Sequence, residues 1–144
     1  MTGATSATGM LAVRCVTGSF ITGAPMTTMN GTVVDTLSGL EWDPSPRIAA
    51  AWTSIFGSCA ADSLAGFTDW RVPTAKELAS IVNDVGQNTA LPLGFNAPST
   101  SDVWSSTPSS LDPTMAFAVS VGTTGDVTTG ATTSTLATYC VRGQ

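Results

Sequence analysis

The chain has 144 residues, of which 42% are hydrophobic and only 10% are charged, so one globular domain with a weakly charged surface is expected. Ten acidic residues against five basic ones give a net charge of −5, which disfavours nucleic acid as a partner because a polyanion would be repelled. With no histidine in the sequence, neither a Ser-His-Asp triad nor a histidine-ligated zinc site can be built.

The sequence shows no segment that would insert the protein directly into a membrane. No window approaches the roughly 20 apolar residues of a transmembrane helix. The N-terminus also lacks a basic region followed by an apolar core, so no intact signal peptide is visible. Abundant Thr, Ser, Gly and Ala with very little Lys suit an extracellular module, and we expect a piece of a longer secreted or cell-surface protein.

The first 18 residues resemble the end of the chain. The segment 2–18 is similar to the segment 129–143, and Leu11, Val13 and Cys15 alternate with smaller or polar neighbours in a strand pattern. We interpret residues 1–18 as the tail of a preceding module in a tandem array, followed by the domain proper at 19–144. Chance similarity between two Thr-rich strands is the alternative.

A hairpin and a helix are predicted in the first half of the domain. After a connector at 19–30, the segments 31–35 and 40–42 pair around a turn at 37–39. The segment 43–46 is interpreted as a turn that leads into the first helix. Apolar residues at helical spacing define one face of that helix: Ile48, Trp52, Ile55, Phe56 and Cys59.

The stretch 66–78, with the sequence GFTDWRVPTAKEL, is predicted to turn a strand into a second helix. The three residues before Pro73 are expected to be extended, because proline disfavours helical geometry in the residue that precedes it. Thr74 and Glu77 fit a capping box, in which each side chain bonds a backbone N–H at the start of the helix. The helix is expected to end near Val82.

A long irregular loop and a set of strands are predicted in the second half. The segment 83–102 has no periodicity and is rich in Gly, Pro, Asn and Thr, and a connection of this length is usually functional or mobile. The turn at 124–126 separates two of the strands. Strands are predicted at 103–106, 115–121, 127–129 and 136–142.

Four ordered motifs resemble the signature of a bacterial family, the Lcl C-terminal-domain family. They are GTVVD with SGLEW at 31–42, the corner motif at 66–78, VWSST at 103–107 and YCVRG at 139–143. The resemblance covers roughly residues 30 to 143. It implies an α+β, C-type-lectin-like fold, with two helices on a small, twisted, mainly antiparallel sheet and a long loop region. The formylglycine-generating (sulfatase-modifying) enzymes share this general fold but need a reactive cysteine pair.

The same resemblance implies that Cys59 and Cys140 form the disulfide that joins a helix to the last strand of the C-type-lectin-like fold. Cys15 would then be left over, or would have lost its partner with a preceding module. Two buried free thiols in a reduced compartment are the alternative.

The four tryptophans are interpreted as core residues rather than as sugar-stacking platforms, since each has apolar neighbours in a motif or on a helix face. Asp69 and Arg71 flank one of them and are expected to clamp the corner through hydrogen bonds. The predicted structural core is Trp42, Trp52, Trp70 and Trp104.

No metal or other cofactor is predicted. The EPN and WND calcium motifs of classical C-type lectins are absent from the sequence. Asp84, Asn88 and Asp102 could approach one another in the long loop as oxygen ligands for calcium, but ordinary helix-end and turn chemistry is the preferred interpretation.

The family implies binding rather than catalysis. No catalytic residue is predicted, because nothing marks a glycosidase-like pair among ten scattered acids. We therefore expect a non-catalytic, adhesin-type module that binds a glycan or a protein through the loops at 83–102 and 107–114. The predicted contact residues are Leu93, Phe95, Asn96, Asp102 and Asp112.

Two further expectations concern partners. Some members of the family are associated with sulfated glycans, and the acidic balance of this chain argues against such a ligand. The alternative to the adhesin is a structural or assembly module of a tandem-repeat surface protein, in which neighbouring copies pack through residues 1–18.

Overall fold

A computed structural model describes residues 26–82, 91–92, 94–122 and 124–143. Within these ranges the chain forms seven strands and two α-helices, with a short 3₁₀ turn at Leu64–Gly66. The elements in chain order are β1 (Met26–Met29), β2 (Thr32–Asp35), β3 (Glu41–Ala50), α1 (Trp52–Ala60), α2 (Ala75–Ile81), β4 (Asp102–Pro108), β5 (Met115–Ser120), β6 (Val127–Ala131) and β7 (Leu136–Arg142).

The strands form one mixed sheet in the order β1-β2-β3-β7-β4-β5-β6. Every neighbouring pair is antiparallel except β4 and β7, which run parallel with Val103 opposite Ala137. The last strand of the chain is therefore inserted at the centre of the sheet. The predicted α+β class is confirmed, and the sheet is mainly antiparallel as expected. None of the helices in the described ranges is long and apolar enough to span a membrane.

The two helices pack on opposite faces of the sheet. Successive residues of a strand point to opposite faces, and β7 shows this directly. Tyr139 belongs to the apolar cluster of Leu78 in α2, whereas Cys140 belongs to the cluster of Ile55 in α1. Because both faces of β7 are covered, every residue from 137 to 141 is buried.

The predicted start of the first helix is wrong. Ile48 lies in β3 and is 91% exposed, and the segment 43–46 belongs to that strand instead of forming a turn. Two prolines remove backbone donors from this segment, and its ladder with β7 shifts register twice before Ala50. The helix begins only at Trp52, whose backbone N–H donates to Thr132 O at 3.0 Å.

Large and small residues alternate along β5, but burial does not follow residue size. Ala116 and Ala118 are fully buried on the α1 side, where they belong to the cluster of Trp104, whereas Phe117 on the other face is only half-buried. Small residues are used there because the Trp104 ring fills the space above them.

The disulfide between Cys59 and Cys140 is confirmed. It ties the buried face of α1 to the central strand β7, with Cα atoms 5.5 Å apart and a separation of 81 positions along the chain. Cys15 and the proposed boundary between 1–18 and 19–144 lie outside the described residues, so they stay predictions.

Removing this disulfide should destabilise the domain strongly. We expect the double variant Cys59→Ala/Cys140→Ala to lose about 4–5 kcal/mol of unfolding free energy, because a long loop is no longer closed in the unfolded chain. Urea denaturation measures the loss. A reductant should lower the stability of the parent chain and leave the double variant unchanged. Equal stability of parent and variant under oxidising conditions would contradict the structural role of the bridge.

Two glycines should respond in opposite ways to the same substitution. A Cβ at Gly130 would lie 2.9 Å from the buried Trp104 ring, so Gly130→Ala should cost about 1–3 kcal/mol through overpacking. Gly57 lies in α1 with nothing within 4 Å of a new Cβ, so Gly57→Ala should stabilise by about 1 kcal/mol. Denaturation midpoints of the two variants check this, and shifts of the same sign would count against the packing.

Candidate functional site

The corner motif at 66–78 is held by a capping box and a bidentate ion pair. The Thr74 side chain accepts from Glu77 N, and the Glu77 carboxylate accepts from Thr74 N at 2.8 Å. The same carboxylate accepts two hydrogen bonds of 2.8 Å from the Arg71 guanidinium. The backbone of Arg71 exchanges two hydrogen bonds with Val141, which ties the corner to β7. The predicted capping box is confirmed.

A second arginine ties the corner to the end of β7. Arg142 donates to Asp69 at 2.8 Å and to Glu41 at 2.6 Å, and its guanidinium carbon lies 3.5 Å from the centre of the Phe67 ring. The hydrogen bond from Arg142 lowers the pKa of Asp69. Asp69 and Arg71 thus take the clamping role that the sequence suggested. The charged side chains of the corner motif, Lys76 excepted, are engaged within the domain.

Three of the four predicted core tryptophans are buried, and the fourth, Trp52, packs partly buried against the core. Trp42 and Trp104 are fully buried and Trp70 is 3% exposed, while Trp52 is half-buried beside Phe56. Three indole N–H groups donate to backbone carbonyls, and that of Trp42 has no partner in the described part of the chain.

The fold brings together Asp43 and Asp62, two carboxylates that the sequence did not mark as a pair. Arg47 bridges Asp43 and Asp62, at 2.5 Å from the latter, and its Nε lies 3.2 Å from the sulfur of Cys140. The two carboxylate side chains are only 5% and 9% exposed. Burial is the main cause that raises the pKa of Asp43, against the attraction of Arg47. This cluster is a closed internal charge network beside the disulfide.

Phe95, one of the predicted contact residues, is half-buried. Its ring meets Trp42 and Tyr139 edge to face at centroid distances of 6.0 and 5.4 Å. Asn96 is exposed, and its backbone carbonyl accepts a 2.5 Å hydrogen bond from the Tyr139 hydroxyl. Burial raises the pKa of that hydroxyl. The loop is therefore anchored at its root while the Asn96 side chain stays at the surface. Leu93 lies outside the described residues.

The predicted contact residues Asp102 and Asp112 do not lie on one surface. Asp102 begins β4 and Asp112 follows its end, so the seven-residue strand separates them by about 20 Å. Asp112 is exposed and bonds Thr114, which lowers the pKa of the carboxyl. In the described ranges no three acidic or cysteine side chains are placed to hold a metal ion. Asp84 and Asn88 lie outside those ranges.

Two surface depressions are relevant to binding. The first, of about 230 Å³, lies at the loop end of the sheet. It is lined by Leu91, Ala97, Pro98, Thr100, Val121 and Gly122. The second, of about 470 Å³, is an apolar groove beside α2. Its lining includes Ala75, Lys76, Ala79, Thr107, Phe117 and Val127. Sequence reasoning missed this groove, although the shortness of α2 and the large side chains of β5 were visible signals.

Neutralising Glu77 should weaken the domain in a pH-dependent way. Burial raises the pKa of this carboxyl, but the bonds from Arg71 and Thr74 together outweigh burial and lower it below the ordinary 4.5. The stabilisation by ionised Glu77 is therefore complete above 4.5 and is lost as the pH falls through the lower folded value. We expect Glu77→Gln to cost about 1 kcal/mol at neutral pH, because a partly exposed ion pair is lost while the amide can still cap.

Denaturation midpoints between neutral and strongly acidic pH measure this effect. The difference between parent and Glu77→Gln should shrink as the solution is acidified. Asp126→Asn, which neutralises an exposed carboxylate in the turn before β6, is the matched control. A difference that stays constant with pH would contradict the ion-pair assignment.

The comparison with known families covers nearly all of the described fold. A sequence model of the Lcl C-terminal domain family matches residues 31–142, which span β2 to β7. A search of curated proteins gives no match for the chain. The family match covers well over half of the sequence and includes the corner motif with its two arginine clamps. The chain therefore belongs to the Lcl C-terminal domain family.

Proposed function

We propose that this domain is a non-catalytic, adhesin-type binding module with a C-type-lectin-like fold, carried by a secreted or cell-surface protein. Two features support the exported location and the fold. A disulfide that closes a long loop is typical of an oxidising compartment. Its path from a helix to the last strand is the one expected of that fold.

The observation that carries the proposal is a contrast between two sets of side chains. Some contact other parts of the domain, and others are exposed to solvent at the loop end. The tryptophans pack inward, and the described arginines form internal ion pairs. At the loop end, by contrast, Asn96, Ser99 and Ser101 are exposed on a segment rooted in the core through Phe95. Polar groups on a loop held by a rigid scaffold are a common arrangement for binding.

The ligand class that fits this surface best is a neutral glycan, with a protein surface as the other partner of the adhesin. Hydroxyl and amide side chains donate to and accept from sugar hydroxyls without a net charge. The Asp43 and Asp62 carboxylates face Arg47 inside the domain, which supports binding without catalysis. The binding surface proposed here is the segment 94–101 with Val121 and Gly122, and it no longer includes the loop at 107–114.

A glycan array probed with the purified chain, with and without calcium, tests this function. Asn96→Ala should reduce the signal about tenfold, which corresponds to the loss of one or two hydrogen bonds. The substitution removes a 3.4 Å side-chain bond from Asn96 to the Ser45 hydroxyl at the surface. It leaves the fold intact because the two shorter bonds of Asn96 come from its backbone. Asp112→Asn at the opposite end of β4 is the matched control and should bind like the parent.

Phe95→Ala is unsuitable as a probe, since loss of the ring would unsettle the packing of Trp42 and Tyr139. A blank array in both calcium conditions would argue against glycan recognition and favour protein partners. Equal losses in Asn96→Ala and Asp112→Asn would contradict the position of the surface.

A further inference from the structure

We propose that the free edge of β6 is a self-association surface, where two copies of the chain pair their β6 strands antiparallel about a two-fold axis. Among the strands of the described ranges, β6 is the outermost one on its side of the sheet, beyond β5. The β5–β6 ladder runs without a bulge from Val119–Val127 to Met115–Ala131. A regular edge strand offers unpaired N–H and C=O groups to another chain.

The alternation of hydrogen bonds along the β5–β6 ladder shows which backbone groups of β6 face away from β5. Ser120 N donates to Asp126 O and Thr132 N donates to Thr114 O, each at 2.8 Å. With the printed register, these bonds direct the N–H and C=O groups of residues 128 and 130 toward β5. The N–H groups of Val127, Thr129 and Ala131 therefore point away from β5, as do the C=O groups of Val127 and Thr129. The Ala131 carbonyl already accepts from Ser134 N at 2.8 Å. Within the described part of the chain, none of these three N–H groups donates to a partner.

The edge also lacks the features that usually prevent strand pairing. Natural edges are blunted by charged residues, by proline or by bulges. The sequence of β6, Val-Thr-Thr-Gly-Ala, contains neither charge nor proline, and its ladder is regular. Val127 is 49% exposed beside the apolar groove. Pairing with a second β6 would cover this side chain and bring the partner copy's uncharged strand next to the groove.

Charge complementarity identifies a second copy as the occupant. Arg47, Arg71 and Arg142 all form ion pairs, which leaves Lys76 as the one basic side chain in the described ranges without one. Lys76 lies at the start of α2 on the rim of the groove. Asp126 borders the cleft at the other end of α2, beside Val82. The two opposite charges thus lie toward opposite ends of α2.

A two-fold axis through Thr129 brings these charges together. Antiparallel pairing places residue 127 of one copy opposite residue 131 of the other, so each Asp126 moves to the end where the other copy's Lys76 lies. The contact is self-complementary, as two-fold interfaces must be. A five-residue strand and one groove bury less area than a permanent dimer needs, so the association should be weak and concentration-dependent.

Sedimentation velocity of the full chain, from about 1 µM to about 1 mM, tests the interface. The parent should shift from monomer to dimer within this range. Thr129→Pro should remain monomeric, because proline removes an outward N–H that the fold does not use, and edge strands tolerate it there. Thr129→Val keeps the N–H and is the matched control. Circular dichroism and the denaturation midpoint establish that both variants are folded.

Exchanging the charges of Lys76 and Asp126 is the decisive part of the experiment. Lys76→Glu and Asp126→Lys should each weaken the dimer about fivefold, whereas the double variant should recover parental affinity because the charges are exchanged. A purely structural role of either residue predicts no recovery. A parent that stays monomeric at all concentrations, a Thr129→Pro variant that still dimerises, or a double variant without recovery would each overturn the proposal.

Discussion

The central position of β7 is the constraint on which the rest of the structure depends. The last strand is inserted between β3 and β4, so the sheet is complete only when the end of the chain has returned to its middle. Three ties hold it there: the disulfide from Cys140 to α1, the backbone exchange between Val141 and Arg71, and the bridges of Arg142 to Asp69 and Glu41. Contacts of such long sequence separation cost loop entropy, which the covalent bridge offsets.

The parts of the fold that the sequence could predict are those specified by local chemistry. The capping box of Thr74 and Glu77, the short α2 helix and the bounds of β7 depend on neighbouring residues, and they were found as expected. The start of α1 was missed because the pairing of β3 with β7 overrides a helical pattern of apolar residues. Ile48 continues that pattern in sequence, yet it lies at the surface of a strand.

The candidate site was harder to predict because it depends on where strands end. The sequence could not show that β4 extends from Asp102 to Pro108 and separates the two loops that were expected to act together. Nor could it show that Phe95 would fill the space between Trp42 and Tyr139. The pairing of Asp43 with Asp62 through Arg47 likewise joins residues 19 positions apart and arises only in the folded chain.

The ion pairs that the arginines form within the domain affect how its surface can recognise a ligand. A chain with few charged residues that places its described arginines in internal ion pairs presents a surface of hydroxyl, amide and backbone groups. Binding at the loop end would then depend little on salt, unlike binding to a polyanion.

The antiparallel β6 pairing that we propose would also direct the loop ends of the two copies in opposite directions, because each lies toward the Asp126 end of its own β6. Such a dimer would connect two separate surfaces instead of gaining avidity on one.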